Sequence, residues 1–168
     1  KCVTIFNLND FRSAQIDYPG YLAELYEAKV KDKPKPDTHQ IEAIEAVQAN
    51  LQSLDRGQMI MACGTGKTFT TLWIKEALEA QTTLVLLPSL SLLSQTMREW
   101  AWAGNSDFEI LNVCSDKSVG KKTEDMKPSD APFPVTSEVL EIAKFLKKHE
   151  PRVLFCTYQS SELIAEAQ

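Results

Sequence analysis

A glycine-rich segment that ends in a lysine and a threonine is the part of the sequence best suited to chemistry. It begins at Met61 and reads Met-Ala-Cys-Gly-Thr-Gly-Lys-Thr. Because glycine has no Cβ, Gly64 and Gly66 allow the backbone to curl until its N–H groups converge on anionic oxygens. A helix that begins at Lys67 would add its own unpaired N–H groups and the positive end of its dipole. The pattern predicts a phosphate-binding loop, made of Cys63, Gly64, Thr65, Gly66, Lys67 and Thr68.

The last two residues of this loop are the candidate catalytic residues. Lys67 would reach the β- and γ-phosphates of a nucleoside triphosphate, and the Thr68 hydroxyl would be a ligand of Mg²⁺. Gln40, 27 positions before Lys67, lies in the first turn of a predicted helix. Its side-chain amide offers the paired donor and acceptor that an adenine edge requires. The sequence thus predicts ATP and Mg²⁺ as cofactors, with Thr68 as the metal ligand and Gln40 at the base.

The elements that position these residues follow from the spacing of apolar side chains. Gln58–Cys63 is a short apolar run typical of a buried strand, and the apolar residues of Lys67–Ala80 recur at helical spacing. Thr82–Leu87 is a continuous apolar run, which predicts a parallel strand covered on both faces. Helices are also predicted at 21–30, 38–54, 91–103, 137–148 and from about 160, strands at 109–114 and 152–157, and a long loop at 115–136. This alternation predicts an α/β fold with a doubly wound parallel sheet.

Ligands of such sheets bind beyond the carboxyl ends of the strands, so the turns that follow the strands are candidate sites. Besides the glycine-rich loop these are Pro88-Ser89 and Thr157-Tyr158-Gln159-Ser160. Hydroxyls and helix-start N–H groups in both turns can hold a nucleic-acid phosphate. Ordinary capping of a helix by Ser89 or Ser91, or by residues of the second turn, explains the same residue types at least as well. Both interpretations stay open at the level of sequence.

Composition sets the class of protein and its organisation. A length of 168 residues suits one domain, and the net charge of −5 is not that of a stand-alone nucleic-acid binder. No apolar stretch is long enough to cross a membrane, and four cysteines without metal spacing predict reduced thiols in a cytoplasmic protein. The charged, proline-punctuated stretch 31–37 predicts a linker. We therefore expect residues 1–35 to be an N-terminal segment and linker from an upstream region of a longer protein.

Four separated segments together resemble the first motor domain of superfamily 2 helicases and translocases. The likeness is strongest to the motor subunits of type I and type III restriction enzymes and to restriction-type predicted helicases, in which Met61 is an ordinary variant. The segments are His39-Gln40-Ile-Glu-Ala-Ile, Met61-Ala-Cys-Gly-Thr-Gly-Lys-Thr, Leu84-Val-Leu-Leu-Pro-Ser-Leu-Ser-Leu-Leu-Ser-Gln and Val153-Leu-Phe-Cys-Thr-Tyr-Gln-Ser. Their order and spacing match the family across residues 36–168.

The resemblance implies a three-layer, RecA-like motor domain of the phosphate-loop class that acts on double-stranded DNA together with further helicase domains of the same polypeptide. Family members carry an Asp-Glu-x-His strand shortly after the Thr157 segment, and its Glu polarises the attacking water. No Asp-Glu dipeptide occurs in this sequence. We therefore expect a domain truncated before that strand, which binds nucleotide and part of the nucleic-acid backbone but does not hydrolyse ATP by itself.

Two other functions fit the same loop. A small-molecule or nucleotide kinase would need arginines in a lid, and the four arginines of this chain are not clustered: Arg12, Arg56, Arg98 and Arg152. A nucleotide-binding module that never hydrolyses would look like residues 36–168 taken alone. The sequence favours the helicase or translocase over both.

Overall fold

The computed structural model describes residues 16–17, 29–30, 32–115 and 133–168. These fall into two compact units, divided between Lys35 and Pro36. In the first unit, β1 (Ile16–Asp17) pairs with β2 (Lys29–Val30) in antiparallel fashion. The helix predicted over 21–30 is therefore wrong at its last two residues, and the rest of it lies outside the described residues. Most of the predicted loop at 115–136 also lies outside them.

The second unit begins with α1 (Thr38–Leu51) and α2 (Lys67–Ala77), which precede the first strand of the sheet. The remaining elements alternate along the chain, in the order β3 (Thr82–Leu87), α3 (Leu90–Ala103), β4 (Glu109–Val113), α4 (Val139–Leu146), β5 (Arg152–Thr157), a 3₁₀ turn (Tyr158–Ser160) and α5 (Ser161–Glu166). Within the described ranges, no helix is long and apolar enough to cross a bilayer.

The sheet of this unit is parallel, and β5 lies between β3 and β4. Alternate side chains of β5 enter two apolar clusters on opposite faces. Val153 and Phe155 pack with residues of α2 and α3, whereas Leu154 and Cys156 pack with residues of α4 and α5. Helices therefore cover both faces of the central strand, which confirms the three-layer α/β fold.

Two expectations about strands are wrong. Gln58–Cys63 is not a strand, and the side chain of Ile60 is 86% exposed. A strand needs a neighbour with which to exchange backbone hydrogen bonds, and none of the described strands pairs with this segment. In β3 the apolar run is also not covered on both faces, because Leu84 and Leu86 are 43% and 40% exposed.

The register of the sheet explains which turns come together. Leu87, the last residue of β3, lies opposite Thr157, the last residue of β5. Val113 at the end of β4 lies opposite Cys156. The turns that follow these three strands therefore leave the sheet at the same edge, as expected for parallel strands.

Candidate nucleotide-binding site

The glycine-rich loop adopts the curled backbone that its sequence predicts. Gly64 and Gly66 have φ angles of 79° and 73°, in the left-handed region that residues with a Cβ rarely enter. Gly66 is also the residue directly before α2, so the loop runs straight into the amino end of that helix. A Cβ on Gly66 would lie 2.5 Å from Nε2 of Gln40, whereas a Cβ on Gly64 would meet nothing within 4 Å. Gly64 thus allows the curl of the backbone, whereas Gly66 allows both the curl and the close approach of the Gln40 side chain.

Lys67 lies over this curl. Its Nζ donates hydrogen bonds to the carbonyl oxygens of Ala62 at 2.8 Å and Met61 at 3.3 Å. The Thr65 hydroxyl donates to the same Ala62 carbonyl at 2.8 Å. The ammonium group is exposed to solvent, so it can exchange loop carbonyls for anionic oxygens without a change in the fold. A lysine ammonium group beside the N–H groups at the start of a helix is a suitable arrangement for binding a triphosphate.

The structure brings Gln40 to the loop, although 25 residues separate it from Thr65. Oε1 of Gln40 accepts a hydrogen bond from the Asp37 N–H at 2.8 Å, and Nε2 donates to the Thr65 carbonyl at 3.0 Å. Gln40 is buried, with 5% of its surface exposed. A side-chain amide has two donor hydrogens and two acceptor lone pairs, so these two bonds leave one of each.

His39 is a neighbour of the loop to which the sequence assigned no role, although it is the first residue of one of the four resembling segments. Its Nε2 lies 3.3 Å from the same Thr65 carbonyl, and the ring is exposed. Its position beside Gln40 in the first turn of α1 was the available signal. A lone histidine in a helix is too common a feature to have carried a prediction.

Thr68, the candidate Mg²⁺ ligand, is partly buried in the first turn of α2. Its carbonyl oxygen accepts hydrogen bonds from the Thr71 hydroxyl and from the Trp100 indole N–H, both at 2.9 Å. The described residues contain no group of three or more His, Cys, Asp or Glu side chains suited to a metal. The Thr68 hydroxyl, in the first turn of α2, is an oxygen donor of the kind that Mg²⁺ prefers.

At the edge of the sheet, Ser89 caps α3. Its Oγ accepts a hydrogen bond from the Leu92 N–H at 3.2 Å, with Ser89 itself in an extended conformation. This is the helix-capping arrangement that the sequence left open. Pro88, immediately before it, is exposed.

The turn after β5 divides into buried and exposed residues. Thr157 and Ser160 are only 2% and 1% exposed. The Thr157 hydroxyl donates to Ser160 Oγ at 2.9 Å, and Ser160 Oγ also accepts from the Ser115 N–H at 2.8 Å. These hydroxyls thus tie the ends of β4 and β5 together and do not face solvent. Tyr158 and Gln159 are exposed and are the residues of this turn that a ligand can touch.

The described cysteines differ in their exposure. Cys63 is exposed within the loop, whereas Cys114 and Cys156 are buried. Burial raises the pKa of the Cys156 thiol to about 12, and the neighbouring Cys114 acts in the same direction. The Cys156 thiol is therefore neutral at physiological pH and is not a nucleophile.

Comparison with known proteins gives consistent matches. The model of the family described as "Type III restriction enzyme, res subunit" matches residues 33–167. The chain is 30% identical over 128 residues to the probable helicase A859L of African swine fever virus (isolate Tick/Malawi/Lil 20-1/1983), an alignment that covers 76% of this chain and 14% of the viral protein.

Two solved structures resemble the chain closely. One is the ATP-dependent Type ISP restriction-modification enzyme LlaBIII bound to DNA, with a TM-score of 0.82 and 36% identity over 96% of this chain and 11% of that one. The other is a nuclease-deletion mutant of the Type ISP restriction-modification enzyme LlaGI in complex with a DNA substrate mimic, with a TM-score of 0.66 and 36% identity over 80% of this chain and 14% of that one. The chain therefore spans a small part of each relative.

Proposed function

The chain belongs to the family of the type III restriction enzyme res subunit and is a superfamily 2 helicase motor domain close to those of restriction enzymes, and from this premise we propose that it is the ATP-binding part of an ATP-dependent DNA helicase or translocase. The parent polypeptide would supply the remaining helicase domains. In that protein, residues 1–35 are the end of an upstream region and residues 36–168 belong to the first motor domain.

The loop geometry is the observation that carries this proposal. Two left-handed glycines, an exposed ammonium group above the curl and the amino end of α2 converge on one place. Backbone N–H groups and Lys67 would bind the phosphates, and the Thr68 hydroxyl would bind Mg²⁺, which supplies positive charge at the β- and γ-phosphates. The remaining donor and acceptor of Gln40 would bind the adenine edge.

DNA is the proposed second ligand. Both solved relatives are described in complex with DNA or a DNA mimic. In this chain the exposed residues at the shared edge of β3 and β5 are Pro88, Tyr158 and Gln159, which we assign to the phosphate backbone. Contacts of this kind suit a motor that steps along any sequence, because phosphates carry no sequence information directly.

The proposal is tested by replacing the loop lysine. We expect Lys67→Ala to weaken ATP binding to the chain by about ten- to a hundredfold, because a hydrogen bond to a charged group contributes about 1.5–3 kcal/mol. Isothermal titration calorimetry measures the affinity. Lys147→Ala is the matched control, since Lys147 is also exposed and lies just after α4, which packs on the face of β5 opposite to that of α2. If both variants bind ATP as the unmodified chain does, the loop is not the nucleotide site.

A further inference from the structure

A tryptophan of α3 makes direct contact with the first turn of α2. The Trp100 indole N–H donates a hydrogen bond to the Thr68 carbonyl oxygen at 2.9 Å, across 32 residues of sequence. Trp100 is 2% exposed, and its ring meets the ring of Phe155 on β5 edge to face, with centroids 5.5 Å apart. The indole is thus fixed on the central strand of the sheet, and it holds Thr68 from that fixed position.

This bond is additional to those that the helix itself requires. Thr68 is the second residue of α2, and its carbonyl has a regular partner in the N–H group four residues later. The carbonyls that lack partners lie in the last turn of a helix, not in the first. The Trp100 bond therefore does not complete the helix. Its effect is to fix the Thr68 peptide, and with it the first turn of α2, relative to α3 and β5.

From this geometry we propose that Trp100 is a positioning residue for the nucleotide site. It holds the turn from which the Thr68 hydroxyl and the N–H groups of Lys67 and Thr68 extend toward the phosphates and Mg²⁺. Such groups act well only when a surrounding shell holds them within about 0.5 Å of the productive position. The inference rests on the proposed function of the loop and assigns to that site a residue from a different element.

The same helix contains a natural comparison for this role. Trp102 lies two residues after Trp100, and its ring packs against Phe69 of α2 with centroids 6.0 Å apart. Its indole nitrogen is buried but has no hydrogen-bond partner among the described residues. A change of Trp102 to Phe therefore shrinks a ring that packs on α2 without removing a hydrogen bond to any described residue. A change of Trp100 to Phe removes the bond as well.

The test is the Mg²⁺ dependence of DNA-stimulated ATP turnover in the full-length parent. For Trp100→Phe we expect the half-saturating Mg²⁺ concentration to rise about three- to tenfold, the range that the loss of one hydrogen bond allows. The turnover rate at saturating Mg²⁺ should stay within about twofold, because no group that contacts the reacting atoms is removed. For Trp102→Phe we expect the Mg²⁺ dependence of the unmodified protein.

A second variant keeps the test valid if Trp100→Phe does not fold. Replacing Trp100 by 3-benzothienylalanine puts sulfur in the place of the indole N–H in a ring of nearly the same shape, and it should give the same shift. If every Trp100 variant that folds keeps the unmodified Mg²⁺ dependence, or if Trp102→Phe shows an equal shift, the positioning role is overturned. Absence of Mg²⁺-dependent ATP turnover in the unmodified parent would instead overturn the proposed function.

Discussion

At the scale of single residues, Gln40 supports the loop in a way that would also suit the proposed contact with a ligand. Its amide joins the Asp37 N–H to the Thr65 carbonyl, and it lies so close to Gly66 that no Cβ would fit between them. The bonds already made hold the amide in one orientation. A fixed amide with one donor and one acceptor left can discriminate between bases, whereas a freely rotating amide cannot.

If Gln40 contacts the base, its removal should weaken the binding of ATP more than the binding of a ligand that has no base. Gln40→Ala should weaken ATP binding about five- to tenfold more than binding of inorganic triphosphate, because ATP loses the base contact in addition to the support of the loop. Competition titrations with ATP, GTP and triphosphate measure the difference.

The matched control for this prediction is His39→Ala, which removes a neighbour of the same Thr65 carbonyl from an exposed position. It should affect ATP and triphosphate equally. An equal loss for all three ligands in Gln40→Ala would show that Gln40 supports the loop only and does not contact adenine.

At the scale of elements, the last residue of β5 and the three that follow it divide into two kinds. Two are buried and support the fold, and two are exposed and can contact a ligand. Ser160 and Thr157 point inward and connect the ends of two strands, while Tyr158 and Gln159 face solvent. All four side chains can donate and accept hydrogen bonds, so the separation comes from the direction of each side chain at the end of β5 and in the 3₁₀ turn.

Substitutions in this turn should therefore divide into two classes. Ser160→Ala should lower the free energy of unfolding by about 1–3 kcal/mol, because the Ser115 N–H loses a buried acceptor. Gln159→Ala should change it by less than about 0.5 kcal/mol, as is usual for exposed positions, but should reduce DNA stimulation of ATP turnover in the parent. Urea denaturation and a phosphate-release assay measure the two effects. A Ser160→Ala protein of unchanged stability and reduced DNA stimulation would place that hydroxyl on the nucleic acid.

At the scale of the whole molecule, we expect the proposed binding of nucleotide to be separable from its hydrolysis. The loop with its lysine is complete within 168 residues, whereas the sequence has no Asp-Glu dipeptide to polarise an attacking water. The chain also spans only 11–14% of the solved relatives. Because its net charge is −5, we expect electrostatic attraction to contribute little to its affinity for DNA.

We therefore predict that the isolated chain binds ATP without DNA-stimulated turnover. The groups that activate water and stabilise the transition state each account for large rate factors, about 10³–10⁵ for an arginine finger alone. Phosphate release with and without duplex DNA measures the effect, with the parent protein as the positive control. Stimulated release by the pure chain that Lys67→Ala abolishes would mean that the chain carries its own hydrolytic residues.

The sequence by itself determined the features that depend on neighbouring residues. The curl at Gly64 and Gly66 follows from the missing Cβ, and the helix after it follows from apolar spacing. The strands Thr82–Leu87 and Arg152–Thr157 were also predictable, because a short apolar run bounded by turn residues is a local signal. The family resemblance rested on the same local segments and was confirmed by the comparisons.

Only the tertiary structure decided the features that need a partner distant in sequence. Gln58–Cys63 has the composition of a strand and is not one, because strand formation depends on an adjacent strand. Whether Ser160 faces a ligand or the interior depends on the end of β4 beside it. The contact between Trp100 and Thr68 exists because α2 and α3 pack on the same face of β5. The sequence of α3 does not indicate which atom the Trp100 indole meets, because the packing of three elements decides it.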